Sequence, residues 1–334
     1  MTKPAKRVLI VDADLIAYRY AAANEKRTII AKHLKSNREK IFKTRTELKA
    51  LLKEKNIEFK AEDYEIQDVQ TAASIRIALR SVKGVIQRLT EATWADEVEL
   101  YIGTGKTFRH DLALPTPYKD NREDLLKPLQ LADVRRYMQV KHGAQLVKGI
   151  ETDDMITIRA YEELAKGNYP IIVSADKDAQ QSQGIEVLDF TQEVWKGKVI
   201  PQVGSLWKVV IGKGPATDIK GDGLKFLAFQ TLAGDKADTY FGYKLSKTKY
   251  GPAKAFKALE DAKTEQEVLQ ILINEFRRLY PQPFVYTDCH GVLHSDVDWF
   301  DMLQLYWSCA YMKRSLDDDS SFIQFAAERN VYVM

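Results

Sequence analysis

Carboxylates with the spacing of metal ligands lie in two groups within residues 149–178. They are Glu151, Asp153, Asp154, Asp176 and Asp178. Carboxylates at close range repel one another unless a positive charge lies between them, and hard divalent cations prefer oxygen ligands. The crowding of these side chains therefore favours a Mg²⁺ or Mn²⁺ site.

Helix capping is an alternative explanation for the first group. Thr152 is a plausible N-cap, and acids in the first turn of a helix are favoured by the helix dipole. The second group follows a predicted strand, so capping does not explain it. Asp176 and Asp178 are two residues apart, and alternate residues of an extended chain can point the same way. Together the two groups favour metal binding.

The elements that position these acids belong to an α/β pattern. Met155, Ile158 and Leu164 indicate an amphipathic helix, and the apolar run 171–173 indicates a short buried strand. The second acidic group thus follows the carboxyl end of a strand, where open α/β sheets bind ligands. Strands and helices also alternate earlier in the chain, which predicts a mostly parallel sheet flanked by helices. These earlier elements are predicted at 7–11, 68–89, 98–102 and 131–140.

Further acids occur at comparable positions. Asp12 ends the predicted strand 7–11, and Asp235 and Asp238 lie three residues apart after a predicted helix at 224–232. A lone acid after a strand is usually a loop or capping residue. Repetition of the pattern at several strand ends makes a shared site the better hypothesis.

Two segments carry basic residues that suit a phosphate partner. Residues 24–60 contain 12 Lys and Arg against 5 Glu, a local net charge of +7. Their pattern predicts helices, and the segment is either a solvated helical face or a phosphate-contacting arm. The compact sequence PYKDNR at 117–122 contains Lys119 and Arg122, with Arg109 upstream. Cations beside a metal site suit a phosphodiester substrate.

Other sites are disfavoured. The segment GTGKT at 103–107 suggests a P-loop, but Leu100 occupies the position of its first glycine and prolines follow instead of a helix. A zinc site at Cys289, His290 and His294 is disfavoured because Gly291 argues against a helix there.

The composition as a whole is that of a soluble protein. The 334 residues carry a formal net charge of +3, so a nucleic-acid partner must be met by local patches. No apolar run approaches the roughly 18 residues of a membrane span, and VLIV at 8–11 is too short for a signal-peptide core. The two cysteines form no CxxC pair. We expect a reducing, cytoplasmic setting and no membrane partner.

Motifs in a fixed order resemble the 5′-nuclease family. They are VDAD at 11–14, FRH and YKDNR within 108–122, ETDD at 151–154, SADKD at 174–178 and GDKAD at 234–238. This family comprises the 5′→3′ exonucleases and flap endonucleases of bacteriophages and of the N-terminal domains of bacterial DNA polymerase I, with a PIN-like fold. The similarity spans roughly residues 7 to 260 and is closest to phage-encoded members, which would place the protein in the host cytoplasm.

The resemblance implies hydrolysis of DNA near 5′ ends, flaps or nicks by two Mg²⁺ or Mn²⁺ ions. Asp12, Glu151, Asp153 and Asp176 would serve the first ion. Asp178, Asp235 and Asp238 would serve the second, with Asp154 adjoining. Lys119 and Arg122 would contact the scissile phosphate under a helical arch, and Arg109 matches the arginine that precedes them. RNA–DNA hybrids are a further expected substrate.

Departures from the family pattern are also visible. The family has an aspartate after its second strand, where this chain has Gly103-Thr104-Gly105, and its GVPGIG turn is replaced by other residues at 240–255, so a K⁺ ion is not expected. The resemblance predicts a nuclease domain at 1–200 with the basic insert near 24–60. It also predicts a helical region at 201–334 carrying the last acidic motif and a divergent helix-hairpin-helix-like segment.

The preferred function is therefore a metal-dependent 5′→3′ exonuclease and flap endonuclease in phage-type DNA replication or degradation. A catalytically weakened DNA-binding protein of the same fold is an alternative, motivated by the glycine at 103. A PIN-type ribonuclease is a second alternative, because the acids do not recognise the sugar. A P-loop ATPase is disfavoured by Leu100 and the prolines.

Overall fold

The structure is a computed structural model that describes residues 5–122, 125–192, 194–212 and 217–333. Its strands are β1 (Arg7–Asp12), β2 (Glu25–His33), β3 (Arg38–Phe42), β4 (Tyr64–Ala72), β5 (Glu97–Thr107), β6 (Gln145–Gly149), β7 (Tyr169–Val173), β8 (Glu186–Leu188), β9 (Lys198–Val199), β10 (Leu206–Val210), β11 (Thr217–Gly221), β12 (Phe284–Thr287) and β13 (Leu293–Val297). Its helices are α1 (Ala13–Ala23), α2 (Arg45–Glu54), α3 (Ile75–Thr93), α4 (Leu131–His142), α5 (Thr152–Ala165), α6 (Gly223–Ala233), α7 (Pro252–Leu259), α8 (Glu265–Leu279), α9 (Trp299–Ala310) and α10 (Phe322–Ala327).

The first of two compact units contains the central sheet. This unit comprises Met1–Asp14, Leu89–Leu125 and Gly143–Met334. Its six strands lie in the order β6-β5-β1-β7-β8-β9. Neighbours from β6 to β8 pair in parallel, and β9 joins the edge antiparallel. The predicted α/β class, with a mostly parallel sheet flanked by helices, is confirmed.

The centre of this sheet is formed by β1 and β7. Leu9, Ile10, Ile171 and Ile172 have no exposed surface, as expected for strands covered on both faces. Helix α5 packs against β1, β5 and β7. Because parallel strands end at the same edge, the residues that follow β1, β6 and β7 lie on one side of the sheet.

Helices α6 to α9 form a second apolar core in the same unit. Every residue of α6 is buried, which fits its mostly apolar sequence. Gly234 ends α6 at φ 76°, and a Cβ there would lie 2.0 Å from the Tyr240 carbonyl oxygen. Only glycine permits this close turn, which brings the acids of 235–238 directly after the helix.

The second unit, Leu15–Arg88 and Leu126–His142, differs from the prediction. Residues 24–60 were expected to be helical, but they form β2 and β3 before α2, and β4 joins β2 to give the antiparallel order β3-β2-β4. The helical prediction was wrong for 24–43 because Ile29 and Ala31 are buried at strand spacing, and β-branched residues favour strands. The helix predicted at 68–89 begins only at Ile75, because Tyr64–Ala72 pairs with β2.

The segment 103–107 completes β5 and leads into a short 3₁₀ turn at Phe108–Asp111. A P-loop needs a loop followed by a helix, so the structure excludes that alternative. The hairpins β10–β11 and β12–β13 were not predicted. The division at residue 200 and the helix-hairpin-helix-like segment stay predictions.

Candidate metal centre

The acids Asp178, Asp235 and Asp238 form a buried triad. Each offers one carboxylate oxygen, and these oxygens lie within 4.8 Å of one another. Burial, followed by the charges of Asp176 and Asp238, raises the pKa of Asp178 well above its usual range. Burial also raises the pKa of Asp238. Such crowding is unfavourable without a cation, and three carboxylates suit a hard divalent ion.

Each carboxylate of the triad is held by a neutral donor on one of its oxygens. Donors of this kind fix the direction in which the other oxygen points, as the outer partners of metal ligands do. They are Gln230 Nε2 to Asp178 Oδ1 at 2.6 Å, the Ala237 N–H to Asp235 Oδ1 at 2.7 Å and Tyr118 Oη to Asp238 Oδ2 at 2.7 Å.

A second group of acids surrounds Asp153. Its Oδ1 is buried and has no hydrogen-bond partner among the residues that the structure describes. Burial raises the pKa of Asp153 well above its usual range, and the charges of Asp176, Asp12, Asp178 and Glu151 raise it further. A buried carboxylate oxygen without a donor is costly, and a bound cation would remove that cost. The residues predicted for the first ion thus lie close together.

Asp154 is distinguished by its main partner, because both of its oxygens accept hydrogen bonds from a buried arginine. Arg109, which has no exposed surface, donates to Oδ2 at 2.5 Å and to Oδ1 at 2.9 Å. The N–H groups of Glu151 and Lys313 donate to the same carboxylate at 3.1 Å. Arg109 also donates to the carbonyl oxygen of Tyr311 at 2.6 Å. This pair fixes the start of α5, so the capping alternative holds for Asp154.

Glu151 occupies the N-cap of α5, the position predicted for Thr152. Burial alone would raise the pKa of Glu151, but the charges of Arg109 and Lys119 lower it below its usual value. Lys119 Nζ forms an ion pair with Glu151 Oε1 and lies 3.8 Å from Asp238 Oδ2. Lys119 therefore joins the two groups of acids. The side chain of Arg122 lies outside the described residues.

Three contributors were missed by the sequence analysis. Asp14 Oδ2 accepts hydrogen bonds from the Gly103 N–H at 2.6 Å and from Thr152 Oγ1 at 3.0 Å. Tyr118 and Lys177 also contact the triad. Each stands inside a motif that was recognised, VDAD, YKDNR or SADKD. Their roles depend on side-chain direction, which motif spacing does not give.

The zinc site considered at Cys289, His290 and His294 is not formed. Among the described residues, the triad is a group of His, Cys, Asp or Glu side chains able to hold a metal, and these three residues form no such group. His294 Nε2 instead lies 2.9 Å from Asp288 Oδ2. No helix in the described ranges has the length and apolar character needed to cross a bilayer.

Comparisons with known proteins point to one group of solved structures. The chain is similar to a T5 5′-exonuclease structure with divalent zinc ions bound, at 14% identity and TM-score 0.46, covering 90% of this chain and 89% of that one. It is also similar to a complex of the bacteriophage T5 flap endonuclease with DNA and metal ions, at 14% identity and TM-score 0.43, covering 80% and 88%. Both are nucleases of the class that the sequence motifs resemble. No protein-family model matches the chain, and no curated protein matches it.

Proposed function

We propose that this protein is a metal-dependent 5′→3′ exonuclease and flap endonuclease that hydrolyses DNA phosphodiesters near 5′ ends. The observation that carries the proposal is the buried triad Asp178, Asp235 and Asp238 beside Asp153, whose Oδ1 has no hydrogen-bond partner in the described part of the chain. Carboxylates gathered at the carboxyl edge of a parallel sheet are a ligand site. The ordered motifs that contain them support the choice of nuclease, and a role in phage-type DNA replication rests on that resemblance.

The donor set fits hard divalent ions. Every group assigned to the first ion (Asp12, Glu151, Asp153, Asp176) and to the second (Asp178, Asp235, Asp238) is a carboxylate, which suits Mg²⁺ or Mn²⁺ better than a softer metal. When bound, two such ions would activate a water and stabilise the attacking and leaving oxygens.

Lys119 is the best placed of the predicted phosphate contacts. Its side chain is 18% exposed and its ammonium group lies between Glu151 and Asp238. A substrate phosphate at this point can take over one of these contacts, so that Lys119 neutralises charge that develops during cleavage. Arg122 stays a prediction with the same role. Arg109 is better assigned as a positioning residue, since its contacts with Asp154 leave it fully buried.

The weakened DNA-binding protein remains the second candidate because β5 offers no carboxylate at Gly103. Asp14, in the first turn of α1, instead accepts a hydrogen bond from the Gly103 N–H. A Cβ at residue 103 would lie 2.7 Å from Thr152 Oγ1 and 3.3 Å from Asp14 Oδ2, so a larger side chain does not fit there. We propose that the seven acids assigned to the two ions suffice for cleavage without a carboxylate on β5.

The test is cleavage of end-labelled 5′-flap, nicked and blunt DNA with Mg²⁺ and with EDTA, beside the Asp176→Ala variant. We expect Mg²⁺-dependent release of 5′ fragments that the variant does not produce. The same substrates made of RNA decide the ribonuclease alternative. DNA binding without cleavage under Mg²⁺ or Mn²⁺ would establish the weakened DNA-binding protein instead.

A further inference from the structure

Lys177 stands between two acids of the SADKD motif and reaches a third. Its Nζ lies 2.6 Å from Asp235 Oδ2, and the side chain is 35% exposed. The backbone around it is a short 3₁₀ helix at Lys177–Gln181, with Asp176 at the N-cap. The ammonium group of Lys177 therefore enters the triad from the same strand end that supplies Asp178.

Both carboxylate oxygens of Asp235 have partners. Its Oδ1 accepts the Ala237 N–H at 2.7 Å, and its Oδ2 contacts Lys177. Ligation of a cation by Asp235 Oδ2 requires that contact to end, because the ammonium group fills the space next to the oxygen. The exposed part of the side chain gives it room to move away.

The charge of Lys177 acts on the whole triad. Its ammonium group contacts Asp235 and neighbours Asp178 in the chain, so it offsets part of the repulsion among the acids. A divalent ion offsets the same repulsion with twice the charge, so the two cations are competitors.

We propose that Lys177 is an internal counter-ion of the triad, which a divalent ion displaces from Asp235 and which thereby sets the affinity of that metal position. The inference rests on the proposed function and names a device that controls its metal site. In metal-free protein Lys177 stabilises the acids, and in metal-loaded protein its charge opposes the ion. Removing it lowers stability without metal and tightens metal binding.

The test is Mn²⁺ binding to the full chain, measured by the electron paramagnetic resonance signal of free Mn²⁺. The variants are Lys177→Met, Lys177→Gln and Lys177→Arg. The matched control is Lys236→Met. Lys236 is exposed and stands between Asp235 and Asp238 in sequence, so this variant makes the same charge change next to two acids of the triad. We expect the weaker class of sites to bind Mn²⁺ at least about threefold more tightly in Lys177→Met and Lys177→Gln than in the parent protein. Lys177→Arg and Lys236→Met are expected to stay within about twofold of the parent.

Thermal unfolding supplies a second readout that does not depend on cleavage. Lys177→Met is expected to melt below the parent protein in EDTA, and to gain more than the parent when Mn²⁺ is added. Unchanged or weaker Mn²⁺ binding in both neutral variants, alongside metal-dependent cleavage by the parent, overturns the counter-ion role alone. Failure of every variant and of the parent to bind Mn²⁺ overturns the proposed function as well.

Discussion

Arginine and lysine side chains contact the acids of the candidate site in two different ways, and the difference separates a structural role from a chemical one. Arg109 and Asp154 are both without exposed side-chain surface and make two parallel contacts. Lys119 and Lys177 are 18% and 35% exposed, and each approaches its acid with a single ammonium group. The first pair is locked by geometry, whereas the lysine contacts can be exchanged for a phosphate or a metal ion.

The buried pair uses arginine, and the exchangeable contacts use lysine. A guanidinium group is planar and presents a fixed fork of donors that matches a carboxylate, and Arg109 extends this fork with contacts to backbone carbonyls. An ammonium group is a compact charge on a flexible stem. Buried ion pairs are costly to break on one side only. Arginine is therefore suited to hold the acidic segment in place, and lysine is suited to contacts that a phosphate or a metal ion can replace.

The largest expected effect comes from Asp153, whose Oδ1 has no hydrogen-bond partner among the described residues. Asp153→Asn keeps the shape of the side chain but removes the negative charge beside Asp12 and Asp176. We expect cleavage to fall by about 10³-fold or more, because a lost metal ligand costs several kcal/mol in the transition state. Single-turnover cleavage in Mg²⁺ measures this loss.

DNA affinity provides the control for Asp153→Asn. Binding measured in Ca²⁺ should change little, since Asp153 is assigned to metal and not to a phosphate. A variant that binds DNA poorly but cleaves each bound substrate at the normal rate would remove Asp153 from the metal site.

The second prediction concerns the buried pair of Arg109 and Asp154. Arg109→Met leaves Asp154 buried without its main partner, so the free energy of unfolding should drop by about 3–5 kcal/mol. Chemical denaturation of the purified variant measures this change. The double variant Arg109→Met with Asp154→Leu should recover part of the stability, because no charge is left uncompensated. Equal loss in the single and double variants would show that the contacts to backbone carbonyls dominate.

The third prediction concerns the contact of Lys119 with Glu151, which a substrate phosphate can replace. Lys119→Ala should lower the single-turnover cleavage rate by about 10²-fold, the usual cost of a donor that stabilises developing charge. Its free energy of unfolding should change by less than about 1 kcal/mol, since partly exposed ion pairs contribute little. Lys236→Ala, an exposed lysine in the last acidic motif, is the matched control. An unchanged cleavage rate in Lys119→Ala would rule out its role at the phosphate.

The sequence predicted the sheet that carries the site because local signals and tertiary structure agree there. The runs at 7–11 and 171–173 are apolar throughout, as parallel strands buried on both faces must be. The acids after them were found for the same reason, since strand ends share an edge. Apolar periodicity likewise located α5.

The second unit was not predicted because its signals conflict. In 24–43 the apolar residues are few, the lysines are many, and the strand pairing of β2 with β4 joins residues about 40 positions apart in sequence. The sequence likewise could not predict the different roles of Asp153 and Asp154. The two are adjacent in ETDD, and only the direction of α5 decides which one meets Arg109.

The smallest expected effect concerns Asp14, in the first turn of α1, whose carboxylate contacts β5 through Gly103 and α5 through Thr152. Asp14→Asn retains an acceptor but loses the charge that strengthens these contacts, so we expect the free energy of unfolding to fall by about 1 kcal/mol. Cleavage should fall by about tenfold or less, because Asp14 positions acids and is not assigned to an ion. Asp14→Ala, which removes both contacts, should exceed it in both measurements. A loss of cleavage in Asp14→Asn as large as that of Asp153→Asn would contradict the positioning role and make Asp14 a metal ligand, in the place where β5 has only glycine.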